Sequence, residues 1–72
     1  MLNMKIPVEN NLDEIVGELE RLGYFKGCWW SSFTNITIIE ADGEKGHLVD
    51  YRGNDIDARY GDLTTLSELK GM

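Results

Sequence analysis

Asn11-Leu12-Asp13-Glu14-Ile15-Val16-Gly17-Glu18-Leu19-Glu20-Arg21-Leu22-Gly23-Tyr24 decides the fold. Leu12, Ile15, Val16, Leu19 and Leu22 recur at helical spacing and fall on one face. Asn11 is a good N-cap residue, and Glu14 three positions later completes a capping-box pattern. Gly23 stands where a left-handed C-cap is wanted, with Tyr24 placed to fold back on Leu19. Asp13 and Glu14 in the first turn and Arg21 in the last suit the helix dipole. The spacing predicts a helix over 12–22. Gly17 faces its polar side and costs about 0.5–1 kcal/mol relative to Ala.

The flanks read as strands that this apolar stripe can cover. Upstream, Leu2, Met4 and Ile6 alternate with Asn3 and Lys5 until Pro7, which marks a sheet edge or a strand end. Downstream, Lys26 to Trp30 is aromatic and extended, and Ser31 to Thr34 is a turn or its continuation. Asn35 to Ala41 is rich in Ile and Thr, with Ile36 and Ile38 on one side and Thr37 and Ile39 on the other. Asp42-Gly43-Glu44-Lys45-Gly46 reads as a hairpin loop, its Asp-Gly pair tolerating positive φ. His47 to Arg52 returns, Leu48 alternating against Val49 and Tyr51. Gly53-Asn54-Asp55 is a turn, and Ile56 to Tyr60 a short edge strand. Thr65-Leu66-Ser67-Glu68 repeats the capping-box pattern and opens a short helix ending at Gly71, with Leu63, Leu66 and Leu69 on one side.

The expected fold class is α+β: a three- to four-stranded antiparallel sheet packed on one amphipathic helix, with a short C-terminal helix. The expected core is Met4, Ile6, Leu12, Ile15, Val16, Leu19, Leu22, Trp29, Ile36, Ile38, Val49, Leu66 and Leu69. At 72 residues there is room for one small domain. Such a chain buries only about 60% of its unfolded surface.

The formal charge is −6, from 13 acidic and 7 basic residues. That balance argues against direct binding to nucleic acid or an anionic membrane, which need a basic patch. The lone Cys28 allows no internal disulfide, which points to a reducing compartment, the cytoplasm. No apolar run approaches the ~20 residues of a membrane span, and the first residues lack signal-peptide character. Asn35-Ile36-Thr37 matches a glycosylation sequon and reads as chance in that setting.

The residues point to a non-enzymatic chain without metal or cofactor. Cys28 and His47 are the one thiol–imidazole couple, but no glycine-rich elbow or helix start flanks Cys28. A buried thiol beside Trp29 is the plainer reading. One Cys and one His cannot fill a zinc site. Asp50, Asp55, Asp57 and Asp62 miss EF-hand spacing and are interleaved with Arg52 and Arg59. The scattered glycines form no phosphate loop.

Two features remain for partner binding. Asp13, Glu14, Glu18 and Arg21 share the outward helix face, and Glu14 and Glu18 are like charges one turn apart. A face kept acidic against that repulsion can dock a basic protein surface, its carboxylates standing in for phosphates. The plainer alternative is a solvated face. In Trp29-Trp30, adjacent strand residues point to opposite sides, so Trp30 is either an interface anchor or covered on the second face.

Thr64-Thr65-Leu66-Ser67-Glu68-Leu69 closes a small acidic chain built on one amphipathic helix and a short meander. In style, size and charge this resembles the accessory proteins of bacteriophages. The resemblance implies a viral, host-directed inhibitor in the host cytoplasm, of anti-CRISPR or similar type, acting on a nucleic-acid-handling protein. Asp13, Glu14, Glu18 and Trp30 are the expected partner-binding residues, read from the chain itself. The alternative is a homodimeric structural or assembly module that pairs a strand across a two-fold axis.

Overall fold

The computed structural model describes residues 1–26, 35–53 and 61–72. Five strands and two helices follow in the order β1 (Met4–Pro7), α1 (Leu12–Arg21), β2 (Phe25–Lys26), β3 (Ile38–Asp42), β4 (His47–Tyr51), β5 (Asp62–Leu63) and α2 (Leu66–Lys70). The chain is α+β, as its periodicities require. The sheet is five-stranded and mixed, in the order β2-β4-β3-β1-β5. That corrects the expectation of three or four antiparallel strands. The central pairs β1·β3 and β3·β4 are antiparallel, but both edge pairs, β1·β5 and β2·β4, are parallel. Parallel neighbours need long connections. Here α1, β2 and the β3–β4 hairpin separate β1 from β5, and β3 separates β2 from β4, so no local turn signal marks the pairing.

The end of α1 forms as its sequence dictates. Gly23 takes φ +107°. Its N–H donates to Glu20 O at 3.1 Å, and the Tyr24 N–H to Leu19 O at 3.0 Å. This double closure turns Tyr24 back into the core. The start of α1 departs from expectation. Asn11 makes no side-chain cap. Its Oδ1 accepts from the Glu9 N–H at 3.1 Å instead, a tight local turn that competes with capping. The second capping box does form: Thr65 and Glu68 exchange side-chain and backbone hydrogen bonds at 3.2 Å. It holds a helix of five residues that could not persist undocked.

Gly17 has nothing within 4 Å of the position its Cβ would occupy. Gly17→Ala therefore raises stability by about 0.5–1 kcal/mol. Urea denaturation would show it as a higher midpoint at unchanged slope.

Both helices bury their apolar residues against one sheet face. Ile15, Val16 and Leu19 from α1 and Leu69 from α2 join Met4, Ile6, Tyr24, Ile36, Ile39, Ala41 and Leu48 in one cluster. Val8, Leu12, Leu22 and Leu66 pack at its margin. The register explains the choice. Ile6 pairs with Ile39, Met4 with Ala41, and Ala41 with Leu48, so these side chains share the helix-facing side.

The same register reverses the phase expected for β3 and β4. Ile38 is buried, as expected, but outside that cluster, and Ile39 faces the helices in its place. Leu48 is fully buried where Val49 was expected, and Val49 is half-buried. The Ile38-Ile39 pair reads equally well in either phase, and a shift of one residue exchanges the faces. Leu63 lies in β5 and is exposed rather than lining α2. Pro7 ends β1, one of the two readings it offered, and β1 itself lies inside the sheet between β3 and β5. Trp29, Trp30, Cys28 and the Ile56–Tyr60 strand expectation lie outside the described residues.

The hairpin between β3 and β4 forms as expected, but its glycines exchange roles. Gly46 carries the positive φ, +74°. Gly43 is required for space instead: a Cβ there would run into the backbone of Met1 and Leu2. The same leading segment is fixed by Gly43 N–H donating to Asn3 Oδ1 at 2.7 Å and by the Tyr24 hydroxyl donating to Leu2 O. Burial pushes the Tyr24 phenol pKa up.

Candidate functional site

The apolar stripe of α1 faces the sheet, which turns its carboxylates outward. Between Leu12 and Arg21 stand four carboxylates and one guanidinium, net −3, half of the chain's −6. Asp13, Glu14 and Glu20 are exposed. Glu18 is half-buried.

The three expected carboxylates do not behave alike. Glu18 Oε1 lies 2.9 Å from Arg21 Nε, and Arg21 Nη2 donates to Leu69 O at 2.9 Å. Glu18 therefore orients an arginine that satisfies a carbonyl at the end of α2. Glu14 Oε2 lies 3.2 Å from Lys70 Nζ, a second link between the helices. Both pairs are substantially exposed, so each is weak and exchangeable. Among the described residues Asp13 has no ion pair of this kind.

A hollow of about 610 Å³ opens beside the first turn of α1. Ile36 and Leu12 contribute apolar surface to it, and Glu9, Asp13, Glu14 and Asn35 stand around it. Three carboxylates outweigh the roughly half positive charge of the helix start, so the hollow favours a cation. Asn35 takes φ +62°, a left-handed conformation asparagine tolerates, and this brings it to the hollow. The sequence places Glu9 just before the helix with no spacing that assigns it to this hollow. It carries no signal for Asn35, which tertiary folding brings across from before β3.

Trp30 lies outside the described residues. His47 packs edge-on against Phe25, ring centroids 4.6 Å apart, at the β2–β4 pair. Arg52 Nη1 holds Asp50 Oδ2 at 2.7 Å, as their proximity in sequence suggests. Among the described residues no group of three His, Cys, Asp or Glu is placed to hold a metal ion. Nor is any described helix long and apolar enough to cross a membrane. Among the described residues β2 and β5 are the outer strands of the sheet, with two residues each. No protein-family model, curated protein or solved structure matches the chain.

Proposed function

We propose that the chain is a non-enzymatic binding protein that presents the acidic face of α1, and the hollow at its first turn, to a basic site on a larger protein. The observation that carries this reading is the gathering of Glu9, Asp13 and Glu14 around one hollow at the start of a helix of net charge −3. A lysine or arginine of the partner enters the hollow. The exposed Glu14–Lys70 and Glu18–Arg21 pairs exchange their cations for the partner's. The style resemblance to bacteriophage accessory proteins supports a viral origin. It also supports a partner that is a host nucleic-acid-handling protein, such as a CRISPR effector, whose phosphate-binding surface the carboxylates occupy. The action is then inhibition in the host cytoplasm.

The test is binding kinetics against a panel of purified nucleic-acid-handling proteins at about 0.1 and 1 M salt. Over that range the Debye length shrinks from about 10 to 3 Å. A true partner loses association rate steeply with salt. The double reversal Glu9→Lys, Asp13→Lys lowers that rate about tenfold or more while leaving the Glu14–Lys70 and Glu18–Arg21 pairs in place. Association indifferent to both salt and reversal, or no complex with any panel member, overturns the reading.

A further inference from the structure

We propose that the hollow lined by Met1, Met4 and Met72 is a soft-metal site that takes a monovalent copper or silver ion on thioether sulfurs. These are all three methionines of the chain, drawn from its two ends and from β1 to one hollow of about 240 Å³. Leu2, Leu22 and Tyr24 complete the described lining, and none of its six side chains carries a charge. A hard divalent cation asks for carboxylate and carbonyl oxygens and is poorly served there. Neutral, polarisable thioethers select soft ions such as Cu(I).

The packing provides both a fixed point and movable arms. Met4 is 3% exposed and held in β1 by its pairing with Ala41 and Asp62. Met1 and Met72 are 63% and 49% exposed. A methionine used as core filler is enclosed, whereas these two project at the rim. Three rotatable bonds let each swing its sulfur toward Met4. Room for Met1 comes from glycines: its Cε lies 3.2 Å from where a Gly23 Cβ would stand, and its Sδ 3.9 Å from that of Gly46. The Tyr24 hydroxyl, donating to Leu2 O, anchors the segment that carries Met1.

The test uses the full chain with Cys28→Ser, because the thiol is a rival soft ligand. Silver(I), and copper(I) under anaerobic reducing conditions, is titrated while the methionine methyl resonances are followed in methyl-labelled protein. The expected result is saturation at equimolar metal with all three methyl resonances shifting together. Met72→Leu, a volume-conserving change at a half-exposed position, leaves the rest of the spectrum intact and weakens binding about tenfold or more. Met4→Leu does the same where the fold tolerates it, and Met72→Leu decides where it does not. Absence of an equimolar shift, or affinity unchanged in Met72→Leu, overturns the proposal.

Discussion

Ile39→Ala lowers the free energy of unfolding by about 2–5 kcal/mol. Ile39 is fully buried in β3, the central strand of the sheet, opposite Ile6 and beneath the helices. Truncation removes buried methyl and methylene groups and leaves a cavity that a closely packed interior fills only in part. A chain of 72 residues has a total stability of about 4–11 kcal/mol at the usual per-residue value. The variant therefore approaches or crosses its folding limit at ambient temperature. Urea denaturation followed by far-UV circular dichroism measures it. A loss below about 1 kcal/mol would mean that Ile39 does not face the helices and that the β1–β3 register is wrong.

Gly61→Ala separates β5 from the sheet. Gly61 sits at φ +95°, where a side chain costs about 1–2 kcal/mol. A Cβ there would also stand 2.5 Å from the Asn3 carbonyl carbon and 2.6 Å from Met4 N, both of them backbone atoms. Neither can yield without moving β1. The contact exists because β5 lies parallel to β1, with Asp62 N–H on Asn3 O at 3.1 Å and Thr64 N–H on Lys5 O at 3.0 Å. In hydrogen exchange the amides of Asp62 and Thr64 lose protection, followed by those of α2, which rests on this connection. The amides of α1 keep theirs, apart from the global loss of stability. Protection at Asp62 and Thr64 equal to that of the unsubstituted chain would overturn the β1–β5 pairing. The contrast with Gly17→Ala is direct, since that glycine has open space and helical geometry.

The candidate site was legible only in part. Asp13, Glu14 and Glu18 share a helix face by spacing alone, and that face points outward because Ile15, Val16 and Leu19 must point inward. Spacing does not reveal that Glu14 meets Lys70, or that Glu18 holds Arg21 against Leu69 O. These partners lie across a helix–helix contact more than 45 residues away in the chain. Nor does it bring Glu9 and Asn35 to one hollow. The methionines show the same limit, since nothing local in a first, a fourth and a seventy-second residue marks them as neighbours.

α1 with its glycine closure, the capping box of α2, the β3–β4 hairpin and the α+β class follow from the order of residues alone. Each depends on residues within a few positions of one another, through helical or alternating periodicity and turn chemistry. Only the tertiary structure decided the strand order, the parallel edges and the phase of β3. Those depend on which distant backbone finds which. The Ile38-Ile39 pair is equally apolar in either phase. The choice falls on Ile39 because Ile6 and Leu48 must lie with it beneath the same two helices.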